Sequence, residues 1–131
     1  MATLFGKIAA GEIPSHRIAE NEEFFAFLDI NPVAEGHTLV IPKKEVDYLF
    51  DLDDGALGRM MAFSKTIARA LAQAIPCKRI GLTVIGLEVP HAHIHLVPLQ
   101  KESDLFFGNP KLKKTPEELA QTAAKIREKF I

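Results

Sequence analysis

Three of the chain's five histidines fall within five residues, in the segment His91-Ala-His93-Ile-His95. Side chains at alternate positions of a β-strand point to the same face, so an extended segment would place the three imidazoles side by side. Imidazoles fill a core poorly, because each ring carries polar nitrogens that need hydrogen-bond partners. The spacing therefore indicates a site that does chemistry.

Two kinds of chemistry use histidines at this spacing. Neutral imidazoles at alternate strand positions commonly bind zinc, but the ends of a row of three lie ~13 Å apart, so a further ligand would have to come from elsewhere. Alternatively, His93 attacks as a nucleophile while its neighbours orient it and handle protons. That role requires a proton on Nδ1, which leaves Nε2 free. Elemental analysis tests the metal alternative, and trapping a covalent histidine adduct tests the other.

The composition excludes several classes of protein. With 131 residues, 47% of them hydrophobic, the chain is long enough for one domain with its own core. Its formal net charge of −1 offers no cationic excess for a nucleic acid backbone, so we expect no nucleic-acid partner. Cys77 is the only cysteine, which excludes an internal disulfide and fits a reducing compartment. No apolar run has the length of a membrane span, and we expect a cytoplasmic protein without a membrane partner.

The order of predicted elements indicates an α+β fold, with an antiparallel sheet of about five strands, a long helix and a C-terminal helix. Apolar positions every three or four residues predict that the long helix starts at Asp53 or Asp54 and ends before Pro76. Thr115 and Glu118 form a capping box that starts the last helix. The predicted helices cover residues 3–10, 53–75 and 115–129, and the predicted strands cover residues 16–20, 23–29, 37–41, 79–85 and 91–97.

Several motifs together resemble the histidine triad (HIT) family. Residues 91–97 match its signature, in which three histidines alternate with apolar residues. The resemblance extends over about residues 4–99 and implies a single HIT domain over residues 1–131, with residues 100–131 predicted as a helical extension. Weaker matches to the family's N-terminal segment, its ribose-contacting strand and the strand with its fourth histidine lie at residues 5–14, 26–32 and 36–43.

The resemblance implies a role for each histidine of the site. His93 resembles the nucleophile that attacks the α-phosphorus of a nucleotide and forms a nucleotidyl-histidine intermediate. The backbone carbonyl of His91 would fix its tautomer, and His95 would help the leaving group depart. His37 would support His91. The resemblance also implies a homodimer, in which strands of two chains join into one sheet and remove an exposed edge.

The resemblance implies a nucleotide-binding pocket beside the histidines. Asp29 resembles the carboxylate that accepts hydrogen bonds from the ribose hydroxyls. The apolar residues expected around the base are Phe5, Ile8, Phe27 and Ile30.

The segment before the triad departs from the family pattern. It is shorter and lacks an Asn and a Gln that many members have. Thr83 lies roughly where the Asn would be, and Leu87 replaces the Gln. Gly86 and Glu88 match the pattern and, with Thr83, are the expected substrate contacts on this side. We expect fewer polar contacts to the leaving group and a preference for activated substrates, unless residues 100–131 supply the missing contacts.

The function that follows from the resemblance is hydrolysis of nucleoside 5′-monophosphate adducts, purine nucleoside phosphoramidates among them. None of the reacting groups requires a metal or another cofactor. One alternative with the same triad is a dinucleoside polyphosphate hydrolase or a nucleotidyl transferase. Another is a non-catalytic nucleotide- or metal-binding protein.

Overall fold

Five antiparallel strands form one sheet in the computed structural model, which describes residues 2–130. The order across the sheet is β1-β2-β3-β5-β4. The predicted α+β fold with a long helix and a C-terminal helix is confirmed. The strands are β1 (Arg17–Glu20), β2 (Phe24–Leu28), β3 (Thr38–Pro42), β4 (Arg79–Thr83) and β5 (Ile94–Leu99), and the helices are α1 (Leu4–Ala9), α2 (Asp54–Ala74) and α3 (Pro116–Arg127).

The sheet is covered on both faces. Every residue of β2 is buried, and alternate side chains point to opposite sides. Phe24 packs in the larger core with residues of α2 and α3, whereas Phe25 packs in a smaller cluster with residues of α1. In β5 the same alternation sends Ile94 and Leu96 into the larger core. It therefore turns His95 towards the face that α1 covers.

The two long helices start where the sequence predicts. The Asp53 side chain accepts a hydrogen bond from the Ala56 N–H at 2.8 Å and caps α2, whose buried stripe includes Leu71. Thr115 and Glu118 exchange side-chain and backbone hydrogen bonds at the start of α3. Among residues 2–130, neither helix has the length and apolar character that crossing a membrane requires.

The prediction that all three histidines lie on one strand is wrong, because β5 begins only at Ile94. Pro90 has no N–H to donate to a neighbouring strand. The next two N–H groups bond elsewhere: that of His91 donates to the Val89 carbonyl at 2.8 Å, and that of Ala92 donates to the Val46 carbonyl at 2.6 Å. His91 and His93 therefore lie in an irregular segment that leads into β5.

The C-terminal segment is only partly helical, which corrects the prediction of a helical extension over residues 100–131. Helix α3 covers Pro116–Arg127, and a short 3₁₀ turn covers Glu102–Leu105. The intervening chain crosses towards the loop after β2, where the Leu112 N–H donates to the Pro32 carbonyl at 2.8 Å. This path brings side chains of the segment over the histidines.

Candidate active site

His93 is oriented by the main chain two residues before it. Its Nδ1 lies 2.7 Å from the His91 carbonyl oxygen, and a carbonyl can only accept, so the ring proton is on Nδ1. The other nitrogen, Nε2, keeps its lone pair. In the described chain, every buried side-chain nitrogen has a hydrogen-bond partner. Because His93 Nε2 has none, it lies on the 6% of the His93 surface that solvent reaches. The arrangement is that of a neutral imidazole with a free nucleophilic nitrogen.

A second hydrogen bond joins His37 to His95. The Val33 N–H donates to His37 Nδ1 at 3.1 Å, which places the proton of a neutral ring on Nε2. That Nε2–H donates to His95 Nδ1 at 3.0 Å, so the proton of a neutral His95 is on its own Nε2. The expectation that His37 supports His91 is therefore wrong. His37 supports His95, because β3 and β5 are neighbours in a register that pairs Leu39 with His95.

Burial keeps these rings neutral. It lowers the pKa of His37 from 6.5 to about 4, with a smaller contribution from the positive charge of Lys111. Burial also lowers the pKa of His95 to about 3, and the neighbouring rings of His93 and His37 add to the shift. The pKa of His93 is lowered by burial, which outweighs the opposing hydrogen bond to the His91 carbonyl. At pH 7 all three are imidazoles rather than imidazolium ions.

His91 is fully buried, and both of its ring nitrogens have partners. Nε2 lies 2.7 Å from the Pro42 carbonyl oxygen. Nδ1 lies 2.6 Å from Thr3 Oγ1 and 3.2 Å from Glu45 Oε2. Sequence reasoning missed Thr3 and Glu45, since they lie far along the chain from the histidines and belong to no motif.

Asp29 lies beside the His37–His95 pair. Its Oδ2 is 3.7 Å from His37 Nε2, and its Oδ1 accepts a hydrogen bond from the Asn31 N–H at 2.8 Å. Burial raises the pKa of Asp29, against lowering contributions from that hydrogen bond and from the positive charge of Lys111. A carboxylate half-buried at the rim of the site is available to accept hydrogen bonds from hydroxyl groups.

Three of the four residues expected around a base lie together. Phe5, Ile8 and Phe27 pack in the cluster between α1 and the sheet. The ring of Phe5 meets that of Phe27 edge-on at 5.5 Å and that of His93 at 5.1 Å. Ile30 is not among them: it is 63% exposed and lines a separate surface cavity with residues 111–115. Its position after the end of β2 frees it from the strand alternation that holds Phe27.

The residues expected on the leaving-group side extend from the end of β4 into the segment that follows it. Thr83 ends that strand opposite His95 in the register. Gly86 has a φ of 71°, a conformation that L side chains rarely adopt, so this turn depends on glycine. Glu88 is exposed, and Leu87 points into solvent. Of these residues, Thr83 is the one that the sheet register places opposite a histidine.

An aromatic residue of the C-terminal segment covers the histidine pair. The Phe107 ring centroid lies 4.5 Å from that of His95 and 5.4 Å from that of His37. Lys111 Nζ donates to the Phe107 carbonyl and lies 5.9 Å from the Phe107 ring centroid. No sequence signal identified either residue, because the segment has no motif and its path depends on tertiary contacts.

Asp29, His37 and His95 could hold a metal ion in principle, since their candidate ligand atoms lie within 4.8 Å of one another. The bond between the two rings, however, uses a proton on His37 Nε2 and the lone pair on His95 Nδ1. A cation would have to displace that proton and separate the rings. The donor set fits a proton-sharing pair better than a cation site.

We expect the free energy of unfolding to decrease as the pH falls from about 6.5 towards 4. In this window the unfolded chain binds protons on His37 and His95, while the folded chain keeps both rings neutral. Urea denaturation of the wild type and of the His37→Gln variant at pH 7 and pH 5 measures the loss, with His16→Gln as the control. The variant should lose less stability between the two pH values; an equal loss would contradict the assignment.

Known proteins are similar in sequence to this chain. Residues 10–102 match the HIT domain family. The adenosine 5′-monophosphoramidase of Saccharomyces cerevisiae is 39% identical over 111 residues, which cover 83% of this chain and 70% of that protein. The adenosine 5′-monophosphoramidase of Schizosaccharomyces pombe is 30% identical over 132 aligned residues and covers 99% of each chain.

Solved structures share the fold over almost the whole chain. A Hit-like protein from Bartonella henselae has a TM-score of 0.83 and 32% identity, covering 97% of this chain and 95% of that one. A zinc-bound histidine triad family protein from Mycobacterium smegmatis has a TM-score of 0.82 and 29% identity, covering 97% and 91%. With the match over residues 10–102 and the two yeast relatives, these findings show that this chain belongs to the histidine triad (HIT) family.

Proposed function

We propose that this protein is a nucleotide hydrolase that cleaves nucleoside 5′-monophosphate adducts, including purine nucleoside phosphoramidates, with His93 as the nucleophile. The observation that carries the proposal is the 2.7 Å hydrogen bond from His93 Nδ1 to the His91 carbonyl, which leaves Nε2 unprotonated. The two yeast relatives named adenosine 5′-monophosphoramidases support the substrate class.

In the first step His93 Nε2 attacks the α-phosphorus, and the bond from phosphorus to the leaving group breaks. His93 becomes positively charged as its N–P bond forms, and its Nδ1–H remains bonded to the His91 carbonyl. The His95 ring, whose centroid lies 4.8 Å away, donates a hydrogen bond from its Nε2–H to the leaving atom and keeps its proton. The departing amine or alcohol takes its proton from solvent.

In the second step water attacks the phosphorus of the nucleotidyl-histidine intermediate. The N–P bond breaks and its electron pair returns to His93 Nε2, while the attacking water releases a proton to solvent, which balances the proton taken up in the first step. His93 regains its starting tautomer, His95 keeps its own, and the product is a nucleoside 5′-monophosphate. The His37 Nε2–H holds the His95 ring in place throughout.

One alternative function uses the same displacement at phosphorus, and the other involves no reaction. A dinucleoside polyphosphate hydrolase or nucleotidyl transferase would share both steps and differ only in the leaving group or the acceptor. Rates on a panel of adenylate and guanylate adducts separate these enzymes. A non-catalytic metal-binding protein is motivated by the zinc named for the Mycobacterium smegmatis relative. The hydrogen-bonded His37–His95 pair favours the enzyme over that alternative in this chain.

We propose that two copies form a homodimer through β4. This strand lies at the edge of the sheet, so its outer N–H and C=O groups have no strand partner within the described chain. Exposed apolar side chains accompany that edge, with Leu82 on the strand and Met61 on the adjoining face of α2. A second β4 pairing there would extend the sheet and cover both.

We expect His93→Ala to lose ~10⁴-fold or more in turnover, about 5 kcal/mol, because the covalent nucleophile is gone. Steady-state rates on an adenosine phosphoramidate measure the loss, and circular dichroism checks the fold. His16→Ala is the control, since it removes a histidine outside the site. A variant that keeps more than a tenth of the wild-type rate on every cleavable adduct would show that His93 is not the nucleophile.

We expect Phe107→Ala to slow cleavage of poor leaving groups by about tenfold relative to good ones. Without the ring, water reaches the His37–His95 pair, and the hydrogen bond from His95 to the leaving group loses its dry surroundings. The matched control is Phe106→Ala, because Phe106 is the neighbouring aromatic residue and is 65% exposed. Equal effects of the two variants on the ratio of the rates would contradict a role for Phe107.

We expect a dimer in sedimentation experiments at micromolar concentration, and we expect Leu82→Lys to shift it towards the monomer. A charge at this position would be desolvated in the interface. Leu4→Lys is the control, since Leu4 is also an exposed leucine but lies on α1. A wild-type chain that sediments only as the 14.5 kDa monomer would refute the proposal.

A further inference from the structure

A polar network ties the N-terminal helix to the first histidine of the triad. Thr3 caps α1, and its Oγ1 accepts the Gly6 N–H at 2.9 Å. The same hydroxyl lies 3.0 Å from Glu45 Oε2 and 2.6 Å from His91 Nδ1. The other ring nitrogen, His91 Nε2, lies 2.7 Å from the Pro42 carbonyl oxygen. The proposed reaction uses only the backbone carbonyl of His91, so this side-chain network needs another explanation.

The partners of the two ring nitrogens indicate the state of the ring. The Pro42 carbonyl accepts only, so His91 Nε2 carries a proton. The Glu45 carboxylate also accepts only, and its Oε2 lies 3.2 Å from His91 Nδ1. A proton on Nδ1 would serve both this carboxylate and the Thr3 oxygen 2.6 Å away. Acceptor oxygens beside both nitrogens are the surroundings that suit an imidazolium ion.

The Glu45 carboxylate lies where it can balance a positive charge on His91. Desolvation opposes ionisation of Glu45, but the hydrogen bonds from Thr3 and the positive charge of His91 hold the pKa of Glu45 below its usual range. The charge pair is buried on the His91 side and open to solvent on the Glu45 side. A paired charge of this kind avoids the cost of an isolated buried ion.

The position of Glu45 requires a glycine in α1. A Cβ built on Gly6 would overlap Glu45 Oε1, so any side chain at residue 6 would displace the carboxylate. Glycine in a helix normally costs stability relative to alanine. Glycine at the position where the Glu45 carboxylate passes the helix is an independent indication that the sequence accommodates this network.

We propose that Glu45 is a positioning residue that, together with Thr3, keeps His91 as an imidazolium ion and thereby fixes the carbonyl that orients His93. The inference rests on the proposed role of His93 as nucleophile. The same network holds α1 in place, so that the Phe5 ring stays edge-on against His93 with 5.1 Å between their centroids. Glu45 and Thr3 touch no reacting atom and act only through His91 and α1.

Nitrogen-15 spectra of the histidine rings at pH 7 test the charge directly. In the wild type both ring nitrogens of His91 should carry a proton. In Glu45→Gln, which keeps the size of the side chain but not its charge, Nδ1 should lose its proton. A wild-type spectrum with only one protonated nitrogen on His91 would overturn the proposal, and this result does not depend on how any variant folds.

Kinetics test the positioning role. We expect Glu45→Gln to lower kcat about tenfold with a smaller change in KM, because a charge-assisted hydrogen bond behind the nucleophile is lost. The control is Glu12→Gln, which removes an exposed carboxylate just after α1. Thr3→Ser should keep most of the activity and Thr3→Val should not. If Glu45→Gln matches Glu12→Gln in both its spectrum and its kcat, the proposal is wrong.

Gly6→Ala separates positioning from ordinary stability. Alanine should stabilise α1 by its higher helix propensity, yet it displaces the Glu45 carboxylate and should lower kcat as Glu45→Gln does. Gly6→Ala with unchanged kcat would count against the proposal.

Two results together distinguish this inference from the proposed function. A doubly protonated His91 with a fully active His93→Ala would overturn only the proposed function. A neutral His91 with an inactive His93→Ala would overturn only this inference.

Discussion

The hydrogen bond from His93 Nδ1 to the His91 carbonyl is the contact on which the rest of the site depends. That carbonyl can face a side chain two residues on because Pro90 and the bond from the Ala92 N–H to the Val46 carbonyl keep this stretch out of the sheet ladder. In a regular strand the carbonyl would be engaged by a neighbouring strand, and the imidazole would lose the partner that determines its tautomer. The irregular start of β5 is therefore a requirement of the chemistry.

Burial and hydrogen bonding divide the four histidines into different states. His93 is neutral with its proton on Nδ1, whereas His37 and His95 are neutral with theirs on Nε2. His91 differs from them, because acceptor oxygens of Pro42 and Glu45 face its two ring nitrogens. The partner of each nitrogen thus divides identical side chains into a ring with an Nε2 lone pair, a ring with an Nε2–H and a supporting ring.

The two ends of the described chain close the site from opposite sides. Near the N-terminus, α1 places Phe5 against His93, and near the C-terminus the crossing segment places Phe107 against His95 and His37. Aromatic rings exclude water without offering competing hydrogen-bond donors, so they preserve the low pKa values of the histidines. This arrangement couples the chemistry to segments far from the triad in sequence.

The sequence by itself determined most of the elements and the candidate active site. Helical periodicity and caps located α2 and α3, strand alternation located most of the sheet, and three histidines in five residues identified the site, because these signals are local. Tertiary structure alone decided which ring supports which. His37 pairs with His95 because β3 and β5 are neighbours, and Phe107, Thr3 and Glu45 reach the site through contacts between distant segments. Ile30 illustrates the limit of strand alternation as a predictor. It follows the end of β2 and is exposed instead of packing beside Phe27, because alternation constrains a side chain only within a paired strand.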